Sequence, residues 1–123
     1  MSDISTLQKL DAMAQAIYDK KGFNILALDV RRLSSLTDYC IIAEGNIDRH
    51  LRSIASFIRE KLGELGYHPH YVEGLKSGAW IVMDYGDVFI HLMTFEEREK
   101  FALEELWRQS EIVDVKIIVE AVK

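Results

Sequence analysis

The spacing of apolar positions divides the chain into a short series of elements. Leu7, Leu10, Ala14, Ile17 and Tyr18 recur at helical steps, which predicts a helix over 5–21 that stops at Gly22. NILALDV (24–30) is apolar almost throughout and predicts a strand central in a sheet. Arg31 to Ser35 form a polar connection, and DYCIIAEG (38–45) predicts a second strand. Ile47, Leu51, Ile54, Ala55, Ile58, Leu62 and Leu65 then draw one stripe along a long helix, with Asn46 as its expected N-cap and Gly66 as its end. Pro69 keeps 68–74 extended.

Two short strands follow in WIVMDYGDVFIHLM (80–93), turning at Tyr85-Gly86-Asp87. With Tyr85 opposite Val88, the residues Ile81, Met83, Tyr85, Val88, Ile90 and Leu92 share one face, which belongs in a core. The other face carries Trp80, Val82, Asp84, Phe89, His91 and Met93. It is too apolar for a wet surface and too polar for a plain core. Thr94 opens a last helix with the capping-box spacing Thr94-x-x-Glu97, its apolar side supplied by Phe95, Leu103, Leu106 and Trp107. The tail IVDVKIIVEA (112–121) reads as a further strand or an extended arm.

Adjacent strands without intervening helices predict an α/β (α+β) fold, a mixed β-sheet of about five strands with helices packed on it. Residues 1–107 form one domain and 108–123 a C-terminal extension; no linker, repeat or low-complexity run interrupts them. An apolar content of 49% supports a packed core. The single Cys40 excludes an internal disulfide framework and reads as a small buried residue. The start shows no apolar signal core, and no apolar stretch reaches the roughly 20 residues of a membrane span, so a cytoplasmic location is expected. A net charge of -5 makes grip on nucleic acid through phosphates a poor expectation and leaves a basic protein as the fitting partner.

Candidate chemistry is thin. Asp84, Asp87, His91, Glu73 and His50 could be gathered into a metal or acid/base cluster, but no Asp-x-Asp pair, His-x-x-x-His, Cys-x-x-Cys, Gly-x-Ser-x-Gly or phosphate loop occurs. The pattern predicts no cofactor and no metal. His68 and His70 read as surface-edge histidines. His91 and Asp84 fall diagonally across the hairpin, within hydrogen-bond reach; an imidazole tethered by a carboxylate is the simpler reading than an acid/base pair. Arg49, Arg52 and Arg59 share the central helix with Glu60 and Glu64, a solvated mixed-charge face. A binding surface fits best: Trp80, Phe89 and Met93 are residue types found at the centres of interfaces, with Glu73, Asp84, Asp87 and Glu96 as an acidic ring. The competing expectation is that Trp80 and Phe89 pack beneath a helix.

ALDVRRLSSLTDYCIIAEG (27–45), RH (49–50), SIA (53–55), VEG (72–74), WIVMDYGDVFIHLM (80–93), ExR (96–98) and LExLW (103–107) occur in this order. Together they resemble the Iojap/RsfS ribosomal silencing factors from about Ile17 to Trp107. Asn46 stands where Ser or Thr is more usual, and Phe101 replaces a common Tyr. The resemblance implies a nucleotidyltransferase-like sandwich without the catalytic carboxylates. It implies a non-enzymatic factor that binds the large ribosomal subunit through ribosomal protein L-fourteen, blocks joining of the small subunit and represses translation under nutrient limitation. It also implies a homodimer. The partner-binding residues expected on this basis are Glu73, Trp80, Val82, Asp84, Asp87, Phe89, His91, Met93 and Arg98. The other reading is a nucleotidyltransferase-like enzyme or metal-dependent hydrolase with an unusual Asp/His site.

Overall fold

The computed structural model describes residues 5–106 and 108–119. Helix α1 (Thr6–Asp19) starts at a capping box between Ser5 and Gln8. It ends through Lys21, which takes the left-handed conformation (φ 66°) expected of Gly22. Gly22 has a different reason to be glycine: a Cβ there would lie 2.4 Å from Ile17 Cγ2. Helix α2 (Asp48–Glu64) is capped by Ile47 without any side-chain bond, so Asn46 is not its cap. The backbone N–H of Asn46 donates instead to Nδ1 of His50 (2.9 Å), and Nε2 of the same ring meets the Lys20 carbonyl (2.7 Å). The accepting Nδ1 leaves the ring proton on Nε2, and one imidazole ties the start of α2 to the end of α1.

Six strands form one sheet: β1 (Phe23–Asp29), β2 (Tyr39–Glu44), β3 (Tyr71–Glu73), β4 (Trp80–Asp84), β5 (Val88–Met93) and β6 (Glu111–Val113). Their order is β3-β4-β5-β2-β1-β6, with β2 and β5 parallel and every other pair antiparallel. The sixth strand comes from the tail. It makes β1 the neighbour of an edge, whereas β2 is buried along its whole length and takes the central place. Asn24 (φ 51°) sits in an irregularity where the β1–β2 register shifts.

Helices α1 and α2 cover one face. The main core holds the helix stripes of Leu10, Met13, Ile17, Leu51, Ile54, Ile58 and Leu62 against the inward row of Ile81, Met83, Tyr85, Val88, Ile90 and Leu92. That row is the core face expected of the hairpin, and the observed register places Asp84 opposite Phe89 and Trp80 opposite Met93. Burying it removes six large side chains from water, about 1.5–3 kcal/mol each for the aliphatic ones. The opposite face is covered only in part. The last helix is not continuous: α3 (Phe95–Phe101), capped by the Thr94 hydroxyl on the Glu97 N–H, stops where Ala102 turns left-handed (φ 46°), and α4 (Leu103–Leu106) follows. Leu103 is buried while Phe95 is 59% exposed; Trp107 and the side chain of Leu106 lie outside the described residues.

Candidate protein-interaction face

The register of β3, β4 and β5 decides which side chains share the partly covered face. Tyr71 lies opposite Asp84 and Glu73 opposite Val82. Val82 lies opposite His91, and Asp84 opposite Phe89. Period-two alternation therefore brings Tyr71, Glu73, Val82, Asp84, Phe89 and His91 onto one surface. Tyr71 and Glu73 are exposed and the other four are half-buried. An aromatic and aliphatic floor with two carboxylates beside it is suited to a protein partner with an apolar centre and basic rim. Tyr71 was absent from the sequence-based set; its pairing with Asp84, set by the β3 register, is what puts it there.

Part of the expected set lies elsewhere. Met93 is fully buried in a second core with Leu28, Val30, Cys40, Ile42 and Leu103, because α4 closes over that end of the sheet. Trp80 packs against this core, and the ring of Phe101 lies 4.6 Å from its own, so a helix half-covers it as the competing expectation held. The indole Nε1–H of Trp80 donates to Nδ1 of His91 at 3.1 Å. That contact replaces the expected tether: Asp84 instead accepts the Gly86 N–H at 2.7 Å, an Asx turn inside the hairpin. His91 is consequently a neutral imidazole with its proton on Nε2, and burial pushes its pKa down to about 4.

Asp87 does not join an acidic ring. Its carboxylate points to the helix side, where Lys9 Nζ donates at 2.5 Å and the Thr6 hydroxyl at 3.4 Å. Its backbone carbonyl accepts the N–H groups of Asp38 and Tyr39, which anchors the hairpin turn to β2. Lys9 also lies 4.5 Å from the centre of the Tyr67 ring. Arg98 is held inside the fold: it pairs with the buried Glu44 at 3.2 Å and donates to the Asn24 carbonyl at 2.6 Å. Asp87 and Arg98 thus brace the structure. The two carboxylates of the turn are each engaged in a separate bond, and among the described residues no three His, Cys, Asp or Glu side chains gather as a metal site. Cys40 is buried, and His68 and His70 lie exposed at the end of the sheet.

Comparison with known proteins follows the same architecture. The profile of a family described as "ribosomal silencing factor during starvation" matches residues 3–123, and so includes the tail beyond Trp107. The ribosomal silencing factor RsfS of Bacillus subtilis (strain 168) is 35% identical over 106 residues, 86% of this chain and 90% of the relative. A mouse protein, mitochondrial assembly of ribosomal large subunit protein 1, is 29% identical over 101 residues; the match spans 80% of this chain and 44% of the mouse protein. A crystal structure of a Chromobacterium violaceum protein superposes with a TM-score of 0.83 at 31% identity, covering 98% of each chain. One from Bacillus halodurans gives 0.77 at 29% identity, covering 88% of this chain and 98% of the other.

Proposed function

The chain belongs to the ribosomal silencing factor family, and on that footing we propose that it binds the large ribosomal subunit through ribosomal protein L-fourteen and blocks joining of the small subunit. By occupying the joining surface it represses translation when nutrients are short, and it acts in the cytoplasm. The mechanism is steric and uses no catalytic residue. The observation that carries the reading is the open surface of Tyr71, Glu73, Val82, Asp84, Phe89 and His91, presented by a rigid sheet and left uncovered by α3. A net charge of -5 favours a basic protein over bare RNA, whose phosphates would repel it. Competition with subunit joining requires tight binding; nanomolar affinity corresponds to about -12 kcal/mol, which an interface of ordinary size with a few aromatic anchors reaches.

The test is to add the purified protein to separated large and small subunits and to follow joining by sedimentation. Large subunits should stay free in proportion to the protein added, and the protein should migrate with them. Subunits that join normally in excess protein would overturn the proposal.

A further inference from the structure

Along helix α2 the structure separates charges that stand close together in sequence. At about 100° of turn per residue, Arg49, Arg52, Ser56 and Arg59 fall within an arc of about 80° and run along about 15 Å of the axis. Glu60 and Glu64 lie further round the helix, on the side of Phe57. The mixed-charge face expected from the sequence is therefore two stripes, and the arginine stripe carries no glutamate. Arg49 and Arg59 are exposed, and among the described residues neither side chain has an ion pair or a hydrogen bond. Arg52 is fixed in place: it pairs with Asp48 at 3.5 Å, and its Nη1 donates to the Leu75 carbonyl at 3.3 Å. That bond holds the turn at 75–77 against the start of α2. The approach is so close that a Cβ on Gly78 (φ 74°) would lie 2.6 Å from Arg52 Nη1 and 2.5 Å from Asp48 Cβ. Exposed Lys76 is thereby placed at the flank of the stripe, again with no ion pair among the described residues.

We propose that Arg49, Arg52, Arg59 and Lys76 form a contact surface for the phosphate backbone of RNA. Four cations stand there beside the single carboxylate of Asp48, which Arg52 already engages. No apolar side chain interrupts the run from Arg49 through Arg52 and Ser56 to Arg59, whereas a protein partner would need an apolar centre. Arginine, lysine and serine are the side chains that hold phosphates without reading bases, and a line of them matches a line of phosphates. The net charge of -5 does not oppose this, because it is unevenly spread. Glu96, Glu97 and Glu99 on α3, with Glu73 and Asp84 of the sheet, lie on the face away from α2. At physiological salt, exposed charges further apart than about 8 Å are largely screened from each other, so the local cations decide the contact. The Tyr71–Phe89 surface faces away from α2, so a protein can dock there while the stripe meets RNA. The inference rests on the ribosomal reading for the source of the RNA, the large subunit itself; the affinity of the stripe for phosphates stands apart from it.

Salt dependence tests it. The wild-type chain, R49Q/R59Q, R49K/R59K and E60Q/E64Q are each titrated against a short labelled RNA duplex by fluorescence anisotropy, and against large subunits by co-sedimentation, between about 50 and 200 mM salt. Wild type should bind both, with affinity falling as salt rises. R49Q/R59Q should flatten the plot of log affinity against log salt by roughly 0.7–0.9 for each arginine removed, and should bind on the order of tenfold more weakly near 0.1 M salt. R49K/R59K keeps the charges and should keep the slope, and E60Q/E64Q, on the other stripe, should not flatten it. Arg49 and Arg59 are exposed, so melting should be unchanged, and a purely structural role would not move a salt slope. A wild-type chain that ignores the RNA duplex at about 50 mM salt, or an R49Q/R59Q slope equal to that of wild type on either probe, would overturn the proposal. Loss of subunit binding in R49Q/R59Q with no RNA binding by wild type would assign the stripe to an acidic protein instead. The duplex arm reads the stripe even if wild type fails to bind large subunits, which is the failure of the ribosomal proposal.

Discussion

Across the hairpin, the indole N–H of Trp80 donates a hydrogen bond to Nδ1 of His91, and this one bond fixes the imidazole as a neutral acceptor. Burial acts in the same direction and holds the His91 pKa at about 4 against an ordinary 6.5. The unfolded chain therefore binds more protons than the folded one between those values, so stability rises with pH across that window. Above pH 6.5 the contribution is complete; it is lost as pH falls toward 4 and changes no further below. The size is on the order of 3 kcal/mol. An NMR titration of His91 should give a midpoint below 5, and His91→Gln, which keeps an acceptor, should flatten the acid slope of urea-measured stability. A His91 midpoint near 6.5 would contradict the argument.

The same face separates stability from binding. Trp80 rests on the second core and under Phe101, so Trp80→Ala should lower stability by about 2–3 kcal/mol, somewhat less than for a fully buried tryptophan. Phe89→Ala and Val82→Asp alter half-buried positions on the uncovered surface. They should melt close to wild type and weaken large-subunit binding by roughly 10- to 100-fold. Melting and binding measured on the same preparations decide the matter. Full binding by a well-folded Phe89→Ala protein would remove that surface from the interface.

Arg98 gives a third test. Glu44 is 4% exposed, and Arg98 reaches it from α3 across the end of the sheet. Arg98→Met leaves a buried carboxylate without its cation, at a cost of about 3 kcal/mol or more. Combining it with Glu44→Gln should recover part of that loss, whereas independent surface effects would simply add. Denaturant titrations of the four proteins of this cycle provide the measurement.

How far the sequence could be read follows from which physical rule acted at each site. Period-two alternation in 80–93 is a local rule, and it placed all six residues of the main-core face of the hairpin correctly. The same rule could not separate Met93 from Phe89, because burial of the outer face depends on where α4 lands, a matter of long-range packing. Asp87 and Arg98 looked like surface charges for the same reason: Lys9 lies 78 positions from Asp87 and Glu44 lies 54 from Arg98. The helix stop showed a competing local effect, since Gly22 marked the right place but Lys21 took the left-handed turn. His50 carried no signal for its role; its position four residues after Asn46 makes the bond possible, but the α1 carbonyl it also meets is 30 residues away.

Gly74 offers the clearest separation of backbone strain from collision. Both Gly66 and Gly74 have positive φ, 90° and 89°. A Cβ at Gly66 would meet nothing within 4 Å, so Gly66→Ala costs only the left-handed conformation, about 1–2 kcal/mol. A Cβ at Gly74 would stand 2.0 Å from the Trp80 carbonyl oxygen and 3.2 Å from Ile81 Cα, both backbone atoms of β4. That strand cannot retreat without breaking its pairing with β3 and β5. Gly74→Ala should therefore cost clearly more than Gly66→Ala, about 3 kcal/mol or above. It should also disturb the loop that delivers Trp80, so the tryptophan emission of the folded state should shift in Gly74→Ala and not in Gly66→Ala. Paired urea melts followed by fluorescence measure both effects together. Equal costs for the two substitutions would mean that β4 yields at Trp80, and the rigidity assigned to this face would have to be given up.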